Sequence, residues 1–307
     1  MSLEIHDYLA FTGSSRGGNR AAVVFGLDLE SEQKMQALAS SLNAPATVFV
    51  GVSQHLFTSE SPFPLRLRFF TPEIEENICG HGTVAAMHAL KARGELNGFT
   101  FPAGEFQLET RLGLQRAKLE NGVAWLEYPD PKTRNLEEGL PNAHWGHAFV
   151  LREEVAVALG LRLDDLHEDL PVMVADAGRA KLICALPSTV FLDAIEPDHD
   201  LIRRLCLQTD TTGIVAFTFP GRGGCFTDTR HFSLQKSVVE DVATGNAHAA
   251  LAAYLARAKL FDDGQHAFSG AQGYAAGKPS RLELRFRASG GEVSHVWVGG
   301  NAIEVKS

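Results

Sequence analysis

Cys79-Gly80-His81-Gly82-Thr83 and Asp241-Val242-Ala243-Thr244-Gly245-Asn246 each join a side chain able to carry or orient a proton to a glycine turn that opens an apolar run. The first run is Ala-rich and reaches Leu90; the second reaches Leu255. A polar turn feeding such a run predicts a helix start. Free N–H groups and the positive end of the helix dipole favour a carboxylate or a developing oxyanion there, with no Lys or Arg required. Gly80, Gly82 and Gly245 leave the backbone open to close approach, and Thr244 and Asn246 add short polar side chains. An imidazolium is disfavoured beside a helix start, so His81 is expected to be neutral and able to exchange a proton. Asp241 would orient His81 or face the substrate. The chemistry suggested is proton movement on a small carboxylate.

Each residue also has a structural use. His81 is equally readable as a hydrogen-bonded histidine in a glycine turn, and Asp241 as a cap for the second helix, a place for which Thr244 competes. Cys79 is either a small packed residue or, at a helix start, a reserve base. Asn19 follows Gly17-Gly18 and either bonds its own turn or reaches the substrate. Glu75 and Glu76 are the carboxylates nearest the first turn, and loop carboxylates commonly face water.

These turns must be positioned by strands and few helices. Apolar or alternating runs at 3–11, 21–25, 46–50, 65–69, 123–128, 181–186, 213–219, 282–286 and 296–298 have strand period and length. Ser31 introduces a helical spacing in Met35, Leu38, Ala39 and Leu42, a short helix is expected over 201–207, and Gly94 is suited to stop the run from Ala85 to Arg93. The stretch 129–141 carries prolines and glycine and predicts turns. A helix apolar nearly all round must be wrapped, and a strongly curved sheet does that. Laid over each other with Gly82 on Gly245, the two turns lie 163 residues apart in a 307-residue chain, which suggests duplicated halves sharing one cleft.

Composition narrows the partners. A length of 307 residues favours two domains. A net charge of −9 with no Lys/Arg block disfavours nucleic acid and anionic membranes, which need a basic face, and leaves a small molecule. No apolar run reads as a signal peptide or a membrane span, so a cytoplasmic location is expected. Cys79, Cys184, Cys206 and Cys225 form no C-x-x-C pair, and the last three sit among apolar neighbours. The glycines at 13–18 lead into a strand pattern rather than a helix, which excludes a dinucleotide loop.

Ala10-Phe11-Thr12, Gly18-Asn19-Arg20-Ala21-Ala22-Val23, Phe70-Thr71-Pro72, Glu75, Cys79-Gly80-His81 and Glu240-Asp241-Val242-Ala243-Thr244-Gly245 together resemble the PhzF family of phenazine-biosynthesis-like isomerases, whose fold is similar to that of diaminopimelate epimerase. The resemblance runs from about Tyr8 to near the C-terminus and is loose over about 130–210. It implies an α+β fold of two similar domains, each a strongly curved mixed sheet or barrel around a central helix. These would be 1–120, completed by a C-terminal strand near 301–307, and 121–300. It also implies no metal, no organic cofactor and a homodimer. His81 and Asp241 match the family's active-site His and Asp, and Gly80 and Gly245 match glycines lining its pocket. Asn246 stands where a Ser is usual. The block Leu42 to Val50 matches one whose Glu shuttles the proton, and that position is Ala46 here. A methyl group carries no proton, so His81, with Asp241, would serve as acid/base in its place, and Glu75 or Glu76 could in principle replace the missing Glu. The resemblance therefore implies an isomerase or epimerase-like enzyme, with His81 and Asp241 catalytic and Asn19, Gly80, Gly82, Thr244, Gly245 and Asn246 binding. The alternative is a non-catalytic carboxylate binder on the same scaffold.

Overall fold

The computed structural model describes residues 3–26, 28–53, 65–101, 104–136, 152–234 and 239–305. By compactness the chain divides into Met1–Glu127 with Gly299–Ser307, and Tyr128–Val298. It is a mixed α+β protein with a large mixed sheet and few helices.

In the first unit, β1 (Glu4–Ala10) pairs antiparallel with β2 (Asn19–Phe25), Tyr8 opposite Ala21. α1 (Glu32–Leu42) carries the chain over so that β3 (Ala46–Val52) returns parallel to β2. β4 (Leu65–Phe70) then runs antiparallel to β3 and turns into the two-residue β5 (Glu75–Glu76). Next come α2 (Gly80–Arg93), the small hairpin β6 (Glu95–Leu96) and β7 (Phe99–Thr100), the hairpin β8 (Gly104–Thr110) and β9 (Gly113–Glu120), and β10 (Val123–Tyr128). A last strand, β20 (Ala302–Val305), lies antiparallel on β1 with Glu304 opposite Tyr8. α2 packs on β1, β2, β3 and β20. Its Val84, Ala85, Ala86, Met87, Ala89 and Leu90 are buried, and the alanines let the strands come close on several sides. Gly94 ends it in the left-handed conformation, φ 81°, with its N–H on Leu90 O.

In the second unit, β11 (Lys132–Asn135) pairs antiparallel with β12 (Met173–Asp176), and β12 with β13 (Ala180–Ala185). α3 (Arg152–Ala158), α4 (Thr189–Asp193) and α5 (His199–Thr209) share one apolar core with β12 and β13. Asp198 caps α5 by accepting from the N–H groups of Asp200 and Leu201, each at 3.0 Å. β14 (Gly213–Thr218) is parallel to β13 and antiparallel to β15 (Thr227–Ser233), which pairs in turn with β16 (Glu240–Asp241). α6 (Gly245–Arg257) follows, then β17 (Gly264–Gln272), β18 (Ser280–Ser289) and β19 (Glu292–Gly300). α6 packs on β11, β12, β13 and β18. Tyr254 is fully buried on it and donates its hydroxyl to Pro171 O at 2.6 Å.

Several elements escape the sequence pattern. β15 reads Thr-Asp-Thr-Arg-His-Phe-Ser and is buried through Phe232 because its charges are paired inside the unit, as described below. β11 lies within the stretch that reads as turns, of which 137–141 falls outside the described residues. The overlay of the two glycine turns also shifts. The helices start at Gly80 and Gly245 after the caps Cys79 and Thr244, so Gly80 matches Gly245, and Gly82 is already in the first helical turn. Among the described residues no helix is long and apolar enough to cross a membrane.

Candidate active-site residues

The first unit gathers Cys79, Gly80, His81 and Gly82 at the start of α2. The Cys79 side chain makes no cap hydrogen bond to the helix, so the first-turn N–H groups are not taken by the cap residue. Its Sγ instead lies 3.4 Å from His81 Nδ1, and both residues are half-buried. Thr83 back-bonds Cys79 O through its hydroxyl at 2.9 Å. Gly82 is buried, and a Cβ there would stand 3.2 Å from Phe69 Cδ1 and 3.3 Å from Cys79 Sγ, so its bare Cα accommodates β4. Asn19 is buried at the start of β2, opposite Ala10. Beyond Ala10 the buried Phe11 adopts φ 63°, unusual for a bulky residue, and is held there by its N–H on Asn301 O at 2.7 Å. Ala46 is buried at the start of β3, beside Ala21.

Glu75 and Glu76 differ in their surroundings. Glu75 is enclosed, its side chain 4% exposed, and Arg68 holds both its oxygens at 2.7 and 2.6 Å while Arg111 also bonds it. The arginines hold its carboxyl below the usual range against a burial effect that is the largest single influence and acts the other way. Glu76 is half-buried on the opposite side of β5.

The second unit gathers Asp241, Thr244, Gly245 and Asn246 at the start of α6. Thr244 occupies the cap position, yet its hydroxyl does not bond the helix. It donates to Asp241 Oδ2 at 2.5 Å. Asp241 is therefore neither the cap nor left unheld; the threonine orients it. Gln272, fully buried, accepts from Thr244 N–H at 3.0 Å and donates to Thr244 Oγ1 at 3.1 Å and to Asp241 O. The remaining acceptor site of Thr244 Oγ1 faces His231 Nδ1 at 3.1 Å. One hydroxyl has one proton, here given to Asp241, so His231 carries its proton on Nδ1. Gly245 packs on Tyr128, whose Oη would be 2.5 Å from a Cβ at that position. Asn246 Nδ2 donates to Ala177 O at 2.8 Å, which tethers the residue standing in place of the usual serine.

His231, Gln272, Lys181 and Tyr128 are thus drawn into the second group, and sequence reasoning overlooks them. His231 precedes Asp241 by ten residues and Gln272 follows it by thirty-one, so no short motif links them. The available signal is the alternation Thr227, Thr229, His231, which puts the histidine on one face of β15. Lys181 is buried 3% exposed and donates to Thr212 Oγ1, and burial pushes its ammonium down to about 7.

Burial, together with the neighbouring Lys181 and Arg179, pushes His231 well below the ordinary imidazole value, and burial pushes His248 down to about 4. Both are neutral in the folded protein near pH 7. Below the unfolded value, about 6.5, the unfolded chain binds protons that the folded one refuses, so stability present above that pH is lost as pH falls. The expected slope approaches about 1.4 kcal/mol per pH unit for each histidine. Urea unfolding at about pH 7.5 and about pH 5 reads it, and a midpoint that holds or rises toward acid would contradict the neutral pair.

A family model described as phenazine biosynthesis-like protein matches residues 8–307. The chain is 30% identical to the uncharacterized isomerase YddE of Escherichia coli K12, over 99% of this chain and 96% of that protein. It is 32% identical to the trans-2,3-dihydro-3-hydroxyanthranilate isomerase of Pseudomonas aeruginosa, over 97% and 96% respectively. In fold it is similar to the PhzF-family phenazine biosynthesis protein of Bacillus anthracis, with a TM-score of 0.83 and 23% identity over 100% of this chain and 98% of that one. The matched blocks around His81 and Asp241 lie within a similarity that covers nearly the whole sequence, and the chain belongs to the phenazine biosynthesis-like, or PhzF, family.

Proposed function

We propose that the protein is a cofactor-independent isomerase or epimerase-like enzyme that shifts a proton on a small carboxylate-bearing substrate. The observation that carries the reading is Asp241, set by the Thr244 hydroxyl beside a helix start whose N–H groups the cap side chain does not bond. The uncapped start of α2 beside His81 supports it from the other unit. In this reading each helix start offers, in its own unit, preorganised donors that favour a substrate carboxylate or the enolate-like charge that forms when a carbon-bound proton leaves. His81 and Asp241 serve as acid and base groups, each beside the helix start of its own unit. Asn19, Gly80, Gly82, Gly245, Thr244 and Asn246 shape the binding surface. The arrangement of each unit as a curved sheet around one apolar helix, like that of diaminopimelate epimerase, belongs to the same proposal.

Ala46 favours a second reading, a carboxylate binder that has lost its chemistry. One assay separates them. Trans-2,3-dihydro-3-hydroxyanthranilate and a panel of small amino and hydroxy acids are incubated with the protein in heavy water and followed by proton NMR. Loss of a carbon-bound proton signal, abolished in His81→Ala, is the expected result. Tight binding of a probe with no exchange in the wild type would establish the binder.

A further inference from the structure

We infer that Glu76 is the second carboxylate of the catalytic set, the counterpart in the first unit of Asp241 in the second, and that it carries the proton that the methyl group of Ala46 does not. The inference rests on the isomerase reading and adds a residue to it. Its basis is a repeat of contacts inside each unit. In β4, Arg68 grips Glu75 through Nε and Nη2, its guanidinium 5.5 Å from the Phe70 ring. In β15, Arg230 grips Glu240 through the same two nitrogens at 2.9 and 2.8 Å, its guanidinium 5.0 Å from the Phe232 ring. Phe70 is opposite Glu75 in register, as Phe232 is opposite Glu240. Four residues after Glu76 comes Gly80, the first residue of α2, and four after Asp241 comes Gly245, the first of α6. Thr83 and His248, three residues into these helices, both reach back to the carbonyl of the cap residue. The match assigns Glu75 to Glu240 and therefore Glu76 to Asp241.

Strand alternation then sets the two carboxylates of each pair on different faces. Glu75 and Glu240 point to the arginine side, so Glu76 and Asp241 point to the other. Phe69 is directly opposite Glu76, and His231 directly opposite Asp241. On that face Asp241 and His231 both meet the cap residue of α6, while Phe69 lies against Gly82 at the start of α2. Ala46 belongs to the same face. Val48 is opposite Phe69, and Ala46 lies two residues before Val48, so Ala46, Val48, Phe69 and Glu76 share one side of the β3–β4–β5 sheet. A carboxylate is therefore present on the face where the family's shuttle residue is absent.

The step balances within the enzyme. A Glu76 oxygen takes a proton from a substrate carbon, the C–H electron pair passes into the enolate-like system, and the same oxygen returns the proton to a different carbon. Glu76 ends as it began, and no oxidant or reductant is consumed.

The test uses the full chain and whichever probe acid exchanges in the assay above. Glu76→Gln, nearly isosteric, is expected to lower kcat for exchange by about 100-fold or more with KM within about threefold, the signature of a lost proton carrier. Introducing Ala46→Glu into that variant is expected to regain at least about tenfold. If Glu76→Gln melts below the wild type, Glu76→Asp replaces it and is expected to keep a measurable part of the rate, because the carboxylate remains. Exchange within about threefold of wild type in Glu76→Gln, when His81→Ala has lost it, overturns this inference alone. A raised KM at unchanged kcat does the same, since it reveals a binding role. No exchange by the wild type with any probe overturns the isomerase reading and this inference together.

Discussion

Asp241→Asn is expected to slow proton exchange by about 10²- to 10⁴-fold, the range for removal of a positioned acid or base. The substitution keeps the shape of the side chain and an oxygen able to accept from Thr244, so the local backbone has no reason to move. What disappears is the carboxylate at the start of α6. Thr244→Val makes the same point more weakly, because it leaves the carboxylate but removes the 2.5 Å donor that aims it, strands His231 Nδ1 and takes one of two acceptors from Gln272 Nε2. The order expected in kcat is wild type, then Thr244→Val, then Asp241→Asn, with the melting temperature of the last unchanged. Activity of Asp241→Asn within about threefold of wild type would remove Asp241 from the catalytic set.

The largest loss of stability is expected at Arg230. Its side chain is 9% exposed, binds both oxygens of Glu240, and donates through Nη1 to the carbonyls of Leu192 and Ile195 at 3.1 and 3.0 Å. It thereby joins α4 and the turn after it to β15 and β16. Arg230→Met leaves a mostly buried carboxylate without its partner and two carbonyls without a donor, a change costing about 3–5 kcal/mol. Urea unfolding at neutral pH measures it. The double variant Arg230→Met/Glu240→Leu is expected to recover part of the loss, since removing both charges avoids the stranded one. A single-variant cost under about 1 kcal/mol would mean that the pair is solvated in solution.

Much of this was readable in the chain. The strands at 4–10, 19–25, 46–52 and 213–218 follow from apolar runs bounded by turn residues, and α2 and α6 from alanine-rich runs after glycine turns. The family blocks marked His81 and Asp241 directly. The support behind them was not readable. His231 and Gln272 reach the start of α6 through pairing in β15 and β17, and strand register is a long-range property that a local pattern does not encode. β15 hides for a related reason, because Arg230 and His231 read as surface residues until their partners are known. The two-residue slip in the overlay of the glycine turns has a physical origin as well: a glycine in sequence marks either a cap or a place where another strand needs room, and Gly82 is of the second kind.

β20 has a bearing on synthesis. The first unit is completed only when Ala302–Val305 lies on β1 and Asn301 O receives the Phe11 N–H, about three hundred residues after that strand was made. The second unit is continuous in sequence and has all its strands by Val298. At about 5–20 residues per second a ribosome takes some tens of seconds to cover that distance. During translation the earlier-made strands therefore wait with one edge of β1 open until the last residues are added, and because Val298 and Ala302 are only four residues apart the two units reach completion almost together.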